Sequence, residues 1–192
     1  MAPRKLPKIL SADEIAALFA VPNRSAPTGL RNLAILTLMH RSGLRVSEAC
    51  GVGLRDAHLD DGQVHLRPEV AKGGKEAYAY LDDQAVELLR AWIAVRRGLG
   101  IGRKPHLFTT LAGGPVSRKY VWAMMRRYAR RAGIDRDVNP HMLRHTYATE
   151  LLREGFNVRE VQQLLRHSDI RTTVIYTHIF EADLARKIRS RG

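Results

Sequence analysis

Apolar residues occupy nearly every side of the run LAILTLM, Leu33–Met39. A helix that is apolar all round is a buried one. The pattern therefore predicts a central core helix over about Leu30–Arg41, stopped at Ser42-Gly43. Ahead of it, SADEIAALF opens with a capping box, Ser11 with Glu14 three positions on, and predicts a short first helix. VPNRSAPTG between the two reads as a loop, and RVSEACG as a further turn or two of helix ending at Gly51.

The period then changes. GQVHLRP and KEAYAYLD alternate between two faces, with KGGK, Lys72–Lys75, as a turn between them. A small antiparallel sheet is expected from about Leu54 to Leu81. Helical spacing resumes in the amphipathic DDQAVELLRAWIAVRRG, followed by a Gly-rich loop to Pro105. In SRKYVWAMMRRYARRAGI, Val121, Met124, Met125 and Tyr128 recur at core spacing. Lys119, Arg126 and Arg130 share another face, with Arg127 and Arg131 beside it. NPHMLRHTYATELLREG starts with Asn139 as N-cap and Pro140 at the first helical position, and ends at Gly155. VREVQQLLRH, TTVIYTH and a tail helix in 180–192, EADLARKIRS, complete a helical C-terminal half. The fold class is mainly α with a small antiparallel β-sheet (α+β), with no internal repeat.

Charge changes the picture. Lys and Arg number 32 against 19 Asp and Glu, a net charge of +13. Such a balance points to a polyanionic partner, with nucleic acid ahead of an anionic membrane surface. The bland alternative is a basic but passive surface. Between Arg118 and Arg131 there are six basic residues and no acid, which favours phosphate contact through Lys119, Arg126, Arg127 and Arg130. Cys50 is the only cysteine, so no intramolecular disulfide forms, as suits a cytoplasmic protein. The longest apolar run is far too short for a bilayer. MAPRKLPKIL has neither the apolar core nor the cleavage pattern of a signal peptide.

Candidate chemistry clusters late in the chain. His141 and Arg144 share one helix face, and the planar guanidinium fork matches phosphate or carboxylate oxygens. His141 and His145 stand at metal-pair spacing, but without an interleaved Glu or an evident third ligand no metal is expected. Arg45 opens the RVSEACG helix with Glu48 one turn on to hold it. KGGK lacks the spacing of a P-loop.

Taken in order, GLRVSE, a lysine in a β-hairpin, HMLRHTYAT and LLRHSDIRTTVIYTH closely resemble the catalytic domain of the tyrosine recombinase, or phage integrase, family, nearest its Xer-type branch. The resemblance runs from about Leu6 to Ile179. It implies Arg45 and Arg144 as the arginine pair, Lys72 as the hairpin lysine with Lys75 as the alternative, His141 and His167 as the two histidines, and Tyr176 as nucleophile. Glu48 would orient the site. Two positions depart from the family pattern. Arg166 stands before the second histidine where glycine is usual, and Ala77 stands where an arginine often follows the hairpin lysines.

The reaction so implied is attack of the tyrosine oxygen on a DNA phosphodiester, giving a 3′-phosphotyrosyl link and a free 5′-hydroxyl. It needs no cofactor. Arg45 and Arg144 would clamp the non-bridging oxygens, with His167 adding a hydrogen bond. Lys72 would protonate the departing 5′-oxygen, and His141 would accept the phenol proton. The family usually carries an N-terminal helical domain that clamps the duplex. Residues 1–192 are expected to form a single catalytic domain without that core-binding domain, monomeric in free solution and tetrameric on paired sites in double-stranded DNA. The same catalytic set occurs in type IB topoisomerases, and a DNA-binding module without catalysis is the reading from another class.

Overall fold

The computed structural model describes residues 8–166 and Arg189. Helix α1, Ala12–Ala20, is closed at its start by the expected capping box: Glu14 N–H donates to Ser11 Oγ at 3.1 Å and Ser11 N–H to Glu14 Oε2 at 2.8 Å. The central helix α2, Pro27–Ser42, begins three residues earlier than the apolar pattern suggests. Pro27 occupies its first turn, where a missing N–H is harmless and the fixed φ is already helical. The preceding loop is shorter by the same amount. Leu33 through Met39 are all buried, and α2 packs against helices α4, Asp83–Gly98, and α6, Pro140–Arg153.

Helix α2 ends at Gly43, whose φ of 61° lies in the left-handed region. Helix α3, Val46–Gly51, follows at once. A 3₁₀ turn then leads into strands β1, Ala57–His58, β2, Gln63–Leu66, and β3, Ala77–Tyr80, antiparallel in that order. The register sets Val64 opposite Ala79 and Leu66 opposite Ala77. Val64, Leu66 and Ala79 are buried while Tyr78 and Tyr80 point outward, so the sheet has one core face.

The link between β2 and β3 is not the tight turn that KGGK suggests. The ladder ends at the Leu66–Ala77 pair, and residues 67–76 make an excursion in which Gly73 (φ 98°) and Gly74 (φ 67°) supply left-handed backbone. Lys75 and Glu76 therefore lie in the excursion rather than in β3. The register is a property of two strands together, which explains why the local pattern overran it.

Helix α5, Arg118–Arg131, is capped by Ser117 and buries Val121, Met124, Met125 and Tyr128 as the spacing requires. Asn139 caps α6, accepting from His141 N–H at 3.1 Å, with Pro140 at the first position. The short α7, Val158–Leu164, closes the described chain. One core gathers α1 to α6 and the sheet around Leu36, Trp92, Phe108 and Leu143. A smaller one joins α6 to α7 through Ala148, Leu152, Val161 and Leu165, with half-buried Tyr147 beside it. TTVIYTH and the tail helix lie outside the described residues, save Arg189, which is helical and exposed.

Candidate active site

Arg45 owes its place to the turn before it. A Cβ on Gly43 would fall 2.7 Å from Tyr147 Cδ1 and 2.8 Å from Leu165 Cδ2, so glycine is required both for φ and for space. The turn sets Arg45 as N-cap of α3, where Glu48 reaches back to it. Arg45 Nη1 donates to Glu48 Oε1 at 2.8 Å, and Arg45 N–H donates to Oε2 at 2.8 Å. Glu48 is 1% exposed. Burial opposes its charge, but the Arg45 N–H and then the Arg166 and Arg45 guanidiniums outweigh that, holding its carboxyl below the usual range. Its Oε1 also accepts, at 3.5 Å, from the N–H of Lys72 in the β2–β3 excursion. One buried carboxylate thus ties the first arginine to the lysine loop.

Arg144 comes from α6 and is 4% exposed. Its Nη1 donates to the carbonyl of Gly43 and its Nη2 to that of Leu165. The Gly43 turn therefore orients both arginines. His141, one turn before Arg144, is aimed by Asn139 and Pro140 and meets the Trp122 ring edge-on at 6.3 Å between centroids. Burial lowers its pKa first, and the charges of Arg144, Arg45 and Lys72 lower it further. The downward shift favours the neutral ring, the form a proton acceptor needs. Burial, assisted by His141 and Arg144, brings His145 down to about 4, so it is neutral. Among the described residues no group of three His, Cys, Asp or Glu side chains is placed to hold a metal ion.

Arg45, Val46, Ser47, Lys72, Arg118, Trp122 and His141 line one cleft of about 520 Å³. Three expected residues, Arg45, Lys72 and His141, meet there, with Glu48 bonded to Arg45 and Arg144 held at the carbonyls of Gly43 and Leu165. Lys75 is exposed and is not part of the cleft wall. His167 and Tyr176 lie outside the described residues.

Two wall residues went unrecognised in the sequence. Arg118 and Trp122 stand one turn apart on α5, on the edge between its core face and its basic face. The signal was the N-cap Ser117, which fixes where the helix starts and so where Arg118 points. Lys119, Arg126, Arg127 and Arg130 are exposed, as a DNA-facing set would be. Arg126 also pairs with Asp137 at 3.3 Å and lies 5.9 Å from the Trp122 ring centre, while Arg127 lies 5.5 Å from that of Tyr128. A third surprise is Arg166, whose side chain is 12% exposed and turned towards Glu48.

The sequence model of the phage integrase family matches residues 8–183, nearly the whole chain. The chain belongs to that family. This integrase-family chain is 44% identical over 185 residues to the tyrosine recombinase XerC of Xanthomonas campestris pv. campestris (strain B100), a match covering 96% of the chain and 55% of the relative. With the tyrosine recombinase XerD of Halalkalibacterium halodurans the identity is 39% over 180 residues, 93% of the chain and 59% of the relative. The chain thus spans little more than half the length of these curated relatives. Among solved structures, the XerA recombinase superposes with a TM-score of 0.82 at 29% identity, covering 97% of this chain and 66% of that one. The XerH site-specific recombinase, bound to a palindromic difH substrate in a post-cleavage complex, gives 0.80 at 27% identity, with 96% and 53% covered. The mainly helical fold with its small antiparallel sheet is that of the tyrosine recombinase catalytic domain. Among the described residues no helix is long and apolar enough to cross a membrane.

Proposed function

We propose that the chain carries the catalytic apparatus of a site-specific tyrosine recombinase, which cuts and rejoins double-stranded DNA through a 3′-phosphotyrosyl intermediate. The observation that carries this reading is the convergence of Arg45, Lys72, Arg118 and His141 on one cleft, with Glu48 bonded to Arg45 and Arg144 bonded to the carbonyl of the Gly43 turn. Several cations around one carboxylate leave a net positive site, and a phosphate diester is the anion that a strongly basic integrase-family chain would bring to it. Relatives named tyrosine recombinases, and a structural neighbour bound to difH, support the same substrate.

The roles follow from charge and reach. Tyr176 supplies the attacking oxygen, His167 donates a hydrogen bond to a phosphate oxygen, and the phenol proton passes to the imidazole of His141. The Tyr176–phosphorus bond forms as the bond to the 5′-oxygen breaks. Lys72 protonates that oxygen, which is a poor leaving group as an alkoxide. Arg45 and Arg144 face the non-bridging oxygens, where charge grows in the transition state. A second 5′-hydroxyl reverses the sequence, so one phosphodiester replaces another without an energy source. Lys119, Arg126, Arg127 and Arg130 of α5 contact the flanking backbone. The protein is a monomer free in the cytoplasm and assembles as a tetramer on paired sites.

Covalent trapping on a nicked suicide duplex tests the reading. Wild type forms an adduct that survives denaturant, and Tyr176→Phe forms none. Relaxation of a random supercoiled plasmid without paired sites would transfer the reading to a nicking-closing enzyme. DNA binding with no adduct on any substrate would sink catalysis altogether.

A further inference from the structure

We propose that Arg166 is a positioning residue for Arg45: its charge beside the second oxygen of Glu48, which the Arg45 N–H already occupies, helps keep the Arg45 side chain bound to that carboxylate through a single nitrogen and leaves the rest of its fork for the phosphate. The inference rests on reading the cleft as a phosphodiester site.

Arg45 and Glu48 are close enough for a two-pronged arginine–carboxylate pair, the usual geometry of such partners. The structure does not form one. Arg45 reaches Glu48 Oε1 through Nη1 alone. The other oxygen, Oε2, accepts from the Arg45 backbone N–H and lies 3.7 Å from Arg166 Nη2. Arg166 is held for this task. Its Nη1 donates to the Leu164 carbonyl at 2.8 Å, and its Nη2 lies 3.5 Å from the carbonyls of Ser42 and Gly43. The Gly43 carbonyl is also the one that Arg144 uses, so a single turn organises three guanidiniums.

The arrangement is an unfavourable one to keep without a purpose. Arg166 is the one described residue other than glycine with positive φ, at 56°, a conformation that strains any side chain with a Cβ. Its guanidinium is buried beside Arg45, a like charge, and burial lowers its pKa despite the Glu48 carboxylate. Among the described residues its Nε has no hydrogen-bond partner. A backbone strain, a mostly buried charge and, among the described residues, an unmatched donor are all carried at one position, and the ion pair it makes among those residues is with the carboxylate that holds Arg45.

The test compares wild type, Arg166→Gly and Arg166→Lys in the full chain. Glycine suits φ 56°, so Arg166→Gly folds, with a melting temperature at or above wild type as its control. Single-turnover cleavage of the nicked duplex is read beside duplex affinity by fluorescence anisotropy. The cleavage rate of Arg166→Gly falls roughly 10- to 100-fold, the scale of a small misplacement in a catalytic site. Its affinity stays within about twofold, since Arg166 is not among the residues that line the cleft. Arg166→Lys recovers most of the rate.

A second readout needs no activity. The groups facing Glu48 are Arg45 on its own helix, Lys72 from the β2–β3 excursion and Arg166 after α7, with Arg144, His141 and Tyr147 of α6 nearby. Carbon-13 titration of the Glu48 carboxyl moves to higher pH in Arg166→Gly and stays near wild type in Arg166→Lys. An unmoved midpoint in Arg166→Gly overturns the proposal, as does wild-type cleavage by that variant. Should wild type itself form no adduct, the recombinase reading fails, while the titration still decides whether Arg166 holds the carboxylate.

Discussion

Glu48→Gln removes one charge from the centre of the candidate site and keeps its shape. The carboxylate accepts two bonds at 2.8 Å, from Arg45 Nη1 and Arg45 N–H, and has longer contacts with Lys72 N–H and Arg166. Hydrogen bonds involving a charged group contribute about 1.5–3 kcal/mol each. The amide retains one acceptor and so one short bond, loses the other, and turns an NH₂ towards buried guanidiniums. Breaking a buried pair outright costs about 3–5 kcal/mol. Arg45 keeps some access to water, with 16% of its side chain exposed, so a loss of about 2–4 kcal/mol is the reasoned value. For a chain of this size that lowers the melting temperature by roughly 5–15 °C. The pH dependence gives the stricter check. The folded pKa of Glu48 is depressed, so its contribution is fully present above the unfolded carboxyl pKa of about 4.3 and is lost as pH falls through the lower folded value. Urea unfolding of both proteins across that range should show two stability curves well separated at pH 7 and converging in acid. Parallel curves, or a difference under about 0.5 kcal/mol at pH 7, would refute the claim that this carboxylate holds the site together.

Three further outcomes are expected. Gly43→Ala places a methyl against Tyr147 and Leu165 at a positive φ, and should lose about 2–4 kcal/mol in denaturant unfolding, with cleavage reduced because both Arg45 and Arg144 depend on that turn. Arg118→Ala, exposed and on the cleft wall, should leave stability within about 0.5 kcal/mol and lower the salt slope of duplex binding by about 1, as measured by anisotropy at several ionic strengths. His141 and His145 both titrate below the ordinary histidine value. Stability should therefore decline as pH drops below about 6.5, where the unfolded histidines take protons that the folded ones refuse. Cleavage should decline as His141 protonates, and histidine NMR titration checks both midpoints.

Features that rest on near neighbours in the chain were legible. The Ser11–Glu14 capping box, the Asn139-Pro140 start of α6 and the core face of α5 depend on spacings of three or four residues, within which backbone geometry is nearly set. The period-2 pattern likewise found β2 and β3 but overran the ladder's end, because register belongs to paired strands. Arg45, Lys72, His141 and Arg144 were legible as a set only through their order along the chain. Nothing local to any one of them says that they meet. Arg118 and Trp122 were missed for the same reason: an arginine in a basic run and a tryptophan near a core stripe look ordinary until the opposite wall is known.

The chain's order of residues was enough to establish a helical, strongly basic protein with a small sheet, a buried central helix and the family's candidate residues. Tertiary structure alone decided which charges share one environment. Gly43 and Arg144 are 101 positions apart, yet one carbonyl of that turn receives the guanidinium. Glu48 meets the N–H of Lys72 across 24 positions, and Arg166 comes back to the same carboxylate. Short-range patterns reflect backbone geometry, which is nearly independent of the rest of the fold. Electrostatics inside a folded protein depends on distance and burial, and both are created only when remote segments pack.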